Sequence, residues 1–122
     1  MEIYKKWLTA NGVKWEQEDF GLTFRYQGSN FVIFDNSSDP LYLAIAMPGI
    51  YELENDELKV LRVLNKINNN RKAIKAVLND DSVWLTIEMF IDSTPDVEDF
   101  MERLLDILNQ GRLLFNMELK NA

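Results

Sequence analysis

The spacing of apolar residues changes period along the chain, and each change marks an element. Ile3, Tyr4, Trp7 and Leu8 recur at helical intervals and Gly12 follows them as a C-terminal cap, which predicts a first helix over Glu2–Asn11. From Val13 the period drops to two. Val13 and Trp15 alternate with Lys14 and Glu16, Asp19-Phe20-Gly21 makes a turn, and Leu22, Phe24 and Tyr26 alternate with Thr23, Arg25 and Gln27. Gly28-Ser29 reads as a two-residue hairpin turn into a third strand, Asn30–Asp35. Its run Phe31-Val32-Ile33-Phe34 suggests burial on both faces. Leu41, Leu43, Ile45 and Met47 form a fourth strand, closed by the Pro48-Gly49 turn pair.

The period then lengthens again. Glu54-Asn55-Asp56-Glu57 offers a cap and an acidic first turn for a second helix. Its stripe is Leu58, Leu61, Leu64 and Ile67, widened by Val60 and Val63 and ended by Asn68-Asn69-Asn70. Ala73–Asn79 and Ser82–Ile91, joined by Asp80-Asp81, read as a hairpin. In the latter strand Val83, Leu85, Ile87 and Met89 share one face, while Trp84, Thr86, Glu88 and Phe90 share the other. Thr94 as N-cap and Pro95 as first helical residue open a third helix reaching about Met117, with a tail that frays after Phe115. Asp99 and Arg103 can pair one turn apart along it.

The predicted order is thus α-β-β-β-β-α-β-β-α. Short turns force antiparallel pairing, and one sheet with helices on one face is the economical two-layer α+β solution, a single domain over residues 1–122. The third helix has the widest apolar stripe and should be the main lid over the sheet.

Composition narrows the function. A hydrophobic fraction of 47% marks a globular chain, and a formal charge of −7 argues against nucleic acid or an anionic membrane as partner. There is no cysteine and no histidine, which removes the thiolate nucleophile, the commonest general base and the commonest metal ligands. No signal-peptide core and no membrane-spanning run are present, so a cytoplasmic location is expected. Asp35-Asn36-Ser37-Ser38-Asp39 begins like a calcium loop, but Pro40 stands where glycine is needed and Ala46 where the closing glutamate belongs. It reads as a turn. Glu16, Glu18 and Asp19 read as charges on an exposed sheet edge. Lys59, Arg62, Lys66, Arg71, Lys72 and Lys75 gather positive charge without aromatic interleaving, the pattern of a solvated helix face. Nothing here assembles a catalytic set, so neither enzyme activity nor a cofactor is expected. The more informative feature is the second face of the sheet. If Val83, Leu85, Ile87 and Met89 meet the helices, Trp84, Phe90, Tyr42, Ala44 and Ala46 point away from them, toward a protein–protein surface.

Val60–Asn68, Ala73–Ala76, Ser82–Leu85 and Pro95–Phe100, with the Asp39-Pro40 and Met47–Ile50 turns, resemble the YbjN-like family of bacterial proteins. That family is labelled as sensory transduction regulators and resembles the type III secretion chaperone-like fold. The resemblance implies an α+β module that dimerises and binds other proteins without catalysing a reaction. By analogy with secretion-chaperone dimers, the interface falls on the second helix and the last hairpin, at Leu61, Val77, Trp84, Thr86 and Phe90. The expectation is a non-catalytic adaptor or chaperone-like module, a homodimer that also takes a segment of another protein. The alternative is a regulatory domain sensing a small ligand between helices and sheet, with Trp84 or Trp15 as a wall.

Overall fold

The computed structural model describes residues 1–122 and contains α1 (Glu2–Ala10), β1 (Trp15–Glu18), β2 (Gly21–Tyr26), β3 (Ser29–Phe34), β4 (Tyr42–Glu52), α2 (Glu57–Asn70), β5 (Lys75–Asn79), β6 (Ser82–Phe90) and α3 (Val97–Lys120). The strands form one antiparallel sheet in the order β1-β2-β3-β4-β6-β5, and the helices pack on one side of it. β4 and β5 run parallel with β6 between them, so their connection must cross over the sheet, which is the work of α2. α3 lies against β4 and β6 and touches both other helices.

Between the layers lies one core of 25 buried residues. Strand alternation supplies Leu22, Phe24, Phe31, Ile33, Leu43, Ile45, Met47, Val83, Leu85 and Ile87; α1 supplies Tyr4, Trp7 and Leu8. Fully burying each large aliphatic side chain contributes about 1.5–3 kcal/mol. On α3 the buried row includes Met101, Leu104, Leu105, Leu108, Gly111 and Phe115, and at Gly111 the helix packs closely on Ile74 and on Leu85 of β6.

Several boundaries differ from the sequence reading. The hairpin turn between β2 and β3 is Gln27-Gly28, with φ of 50° and 81°, and not Gly28-Ser29. Two positive φ values fit the right-handed twist of a two-residue hairpin. Ser29 instead begins β3, where its hydroxyl donates to Asn109 Oδ1 of α3 at 2.6 Å. Pro48-Gly49 does not close β4. The strand passes through it as a bulge, Gly49 at φ 56°, and resumes pairing at Tyr51↔Val83. A bulge needs no ladder N–H at one position, so proline fits there.

α2 buries Val60, Val63, Leu64 and Ile67, while Leu58 and Leu61 stand 63% and 44% exposed. Steps of three residues rotate by about 60° each around a helix of 3.6 residues per turn, so the 58-61-64-67 row spirals off the packed side. The observed set stays within an arc of about 100°. α3 starts at Val97 rather than Pro95, because the Asp92 carboxylate accepts the Thr94 N–H at 2.9 Å and holds Thr94 in a turn. It also continues to Lys120 instead of fraying at Phe115, since Glu118 pairs with Lys66 at 2.6 Å and Phe115 is buried beside Tyr51. β5 begins at Lys75, after Ala73 takes φ 69°.

The outer edge of β5 is closed at Ala76. Asn68 Nδ2 donates to Ala76 O at 2.9 Å and Asn68 Oδ1 accepts Ala76 N–H at 2.8 Å, so one side-chain amide stands where a neighbouring strand's peptide would. Asn68→Ala should cost about 1–3 kcal/mol through the two lost bonds, read as a lower urea midpoint, and should add light scattering from edge association.

Candidate functional site

Strand register decides what faces away from the helices. Thr23↔Val32, Val32↔Ala46, Ala46↔Thr86 and Lys75↔Thr86 form one row across the outer face, with Glu16 beside Thr23. By alternation Phe34, Tyr42, Ala44, Trp84, Val77, Glu88 and Phe90 share that face. Which side of β3 points outward was open from sequence; the register answers that it is Val32 and Phe34.

This side is built like a shallow second core. Trp84 and Phe34 come from strands on either side of β4, yet their rings lie nearly parallel, 13° apart in plane and 6.5 Å between centroids. Ala44 and Ala46 of the intervening strand are too small to hold the rings apart. Ala46 and Val32 are consequently buried, at 0% and 6% exposure, although they point away from the helices. The Trp84 indole N–H donates to Ser82 Oγ at 3.0 Å, which leaves the ring apolar toward its surroundings. Tyr42 and Phe90 are direct cross-strand partners packed edge to face at 5.8 Å. Phe90 still keeps 79% of its surface in water. Loss of solvation first, and the nearby Glu88 carboxylate second, push the Tyr42 phenol above its ordinary pKa. Lys75 meets Glu88 at 3.3 Å, so charges of both signs border the aromatics.

Four of the five interface residues read from sequence, Val77, Trp84, Thr86 and Phe90, therefore sit together. Leu61 does not join them; it lies on the exposed side of α2, in the helical layer with Leu58. Phe34 completes the patch. Phe34 was hidden in a uniformly apolar run.

The remaining chemistry is dispersed. Asp35 accepts the Ser37 N–H and hydroxyl in a local turn, and no three His, Cys, Asp or Glu side chains gather as a metal cage. Within the basic stretch, Lys66 is held by Glu118, Arg71 by Gln110 and Lys75 by Glu88. A concavity of about 910 Å³ is an open groove at the β1–β3 end of the sheet. Trp15 lines it, with Thr23, Arg25, Asn30 and Pro48, and no residue of α2 or α3 reaches it. Trp84 lines a smaller hollow, about 330 Å³, at the β5–β6 turn. No helix is long and apolar enough to cross a membrane.

At the other end of β4, the Tyr51 hydroxyl donates to Asp56 Oδ2, and Asp56 Oδ1 accepts the Glu54 N–H at 2.8 Å. The Tyr51 bond, followed by the Glu54 N–H, lowers the Asp56 pKa. The same bond raises Tyr51 to about 12. Asp56's share of stability is therefore present above its unfolded pKa and lost as pH falls through the lowered folded value. Tyr51's share is complete below its unfolded value and lost as pH rises toward about 12. Tyr51→Phe should lower the urea midpoint by a constant amount between about pH 5 and pH 9, and the difference from the parent should shrink at both extremes.

No family model and no curated protein matches the chain in sequence. Among solved structures, an uncharacterized protein from Methanothermobacter thermautotrophicus superposes with a TM-score of 0.71 at 15% identity, covering 98% of this chain and 96% of that one. YbjN from E. coli, described as a candidate transcription regulator, superposes with a TM-score of 0.67, also at 15% identity, over 93% of this chain and 87% of its own. At that level of identity the likeness is one of architecture: the chain has the fold seen in YbjN, across nearly its whole length.

Proposed function

We propose that this chain is a non-catalytic adaptor or chaperone-like regulatory module that joins a second copy of itself through the outer face of its sheet. The observation that carries the reading is the aromatic patch of Trp84, Phe34, Tyr42 and Phe90, left uncovered on the side opposite all three helices. Uncovered aromatics at the centre of a face supply the anchors of protein interfaces. Charge argues for a second copy. The chain carries −7 overall, whereas its outward strand residues carry only a small part of that excess, Arg25 and Lys75 against Glu16, Glu18, Glu52 and Glu88. Two acidic chains meet with least repulsion on such a face.

The regulator description belongs to YbjN and supports a regulatory role here by likeness of fold only. With net negative charge, that role runs through contacts with protein and not through direct contact with DNA. Sedimentation velocity across a concentration series tests the reading. A reversible monomer–dimer shift is expected; a monomer at every concentration would remove its basis.

A further inference from the structure

The two edges of the sheet are finished differently. β5 is closed at Ala76 by Asn68, as described above. β1 is open. Asp35 N–H donates to Phe20 O at 2.8 Å, which fixes the phase of the ladder: Phe20, Leu22, Phe24 and Tyr26 address β3, while Gly21 and Thr23 address β1. Their partners Glu18 and Glu16 therefore spend their main-chain groups inside the sheet. Gln17, between them, points its N–H and C=O out of it.

Side chains give this edge a polarity. Glu16 and Glu18 stand on the outer side, both exposed and neither in an ion pair. On the inner side α1 runs alongside, with Lys5 Nζ 2.7 Å from Gln17 Oε1 and 5.2 Å from the Trp15 ring centroid, and Trp15 Nε1 donating to Thr9 Oγ1 at 3.0 Å. The flank is thus ordered while the strand it flanks lacks a neighbour.

We propose that the β1 edge accepts an extended segment of another protein that carries lysine or arginine at alternate positions. Main-chain bonds to Gln17 would align the segment, and its cations would lie beside Glu16 and Glu18 on the outer side. A second copy of β1 is the wrong occupant, because antiparallel pairing would set these same acids against each other. The overall charge of −7 draws a cationic segment in and repels an acidic one. This edge is separate from the aromatic face, so the inference stands apart from the dimer reading.

Fluorescence anisotropy with a capped, labelled peptide alternating Lys and Val, beside its Glu–Val counterpart, gives the test. The Lys–Val peptide should bind more tightly, and more weakly as salt rises. Gln17→Pro removes the outward N–H at a position where an edge strand tolerates proline, and should raise Kd about tenfold. The Glu16→Lys/Glu18→Lys pair, which leaves the backbone intact, should reverse the preference between the peptides. Equal binding of both peptides, binding of neither, or a Kd indifferent to Gln17→Pro would overturn the assignment. Phe90→Asp serves as the locator: binding that survives it supports the edge, and binding lost with it moves the peptide to the aromatic face and overturns the edge.

Discussion

Gly21→Ala should cost about 3–5 kcal/mol, a large share of the roughly 5–15 kcal/mol that holds such a domain folded. Gly21 sits at φ 152°, and a Cβ added there would lie 2.1 Å from Ile33 O and 2.9 Å from Phe34 Cα. Both neighbours are backbone of β3, so relief requires separating the strands at the end of the β2–β3 ladder. Other glycines provide the comparison. A Cβ at Gly28 meets nothing within 4 Å and only the positive φ of 81° opposes it, which sets the loss near 1–2 kcal/mol. At Gly111 a Cβ would approach Ile74 Cδ1 at 2.6 Å, the far end of a side chain that can turn aside. There, roughly 1 kcal/mol of gained helix propensity offsets part of the strain. Urea melts of the three alanine variants should rank Gly21 far worst. A Gly21→Ala midpoint equal to that of Gly28→Ala would refute the close packing at that strand end.

Phe90→Asp should abolish the proposed dimer while leaving the fold standing. With 79% of its surface already in water, Phe90 contributes little to the monomer's core. In a dimer joined through the aromatic face it becomes a central anchor, and a buried carboxylate in its place costs interface energy twice, once per subunit. A loss of about 2 kcal/mol or more corresponds to at least roughly thirtyfold in the dimer constant. Trp84→Asp should act the same way but also lower the urea midpoint, because the indole helps cover Ala46 within the monomer. Sedimentation separates the two effects from unfolding. If Phe90→Asp sediments as the parent does at every concentration, the aromatic face is not the dimer surface.

Legibility of the fold followed from local causes. The alternation in Ser82–Phe90 and the hairpin turn at Asp80-Asp81 stand in the structure as they read in sequence. Helix faces were less legible. On α2 the sequence suggested a stripe of six, and the packing kept Val60, Val63, Leu64 and Ile67 but left Leu58 and Leu61 exposed, because the angular spread of a row and its hydrophobicity are different quantities, and burial follows the first. Boundaries were missed where a distant group competes. Ser29 joins β3 because Asn109, eighty residues on, takes its hydroxyl bond, and α3 outlasts Phe115 because Lys66 holds Glu118.

The candidate surface divides the same way. Periodicity placed Trp84, Thr86 and Phe90 on one side of a strand without any neighbour to consult. It could not say that Phe34 would reach across β4 to Trp84, or that Leu61 would end in the other layer, since both depend on strand order and register.

What the chain dictates unaided is the list of elements, their antiparallel hairpins and an excess of apolar side chains over what one sheet face can hold. These arise from contacts between near neighbours in sequence, which every compact arrangement must satisfy. Tertiary structure alone decided which edge Asn68 closes, which edge stays open at Gln17, and which rings gather above Ala44 and Ala46. Each of those joins strands or layers far apart along the chain, and only the packed fold sets their distances.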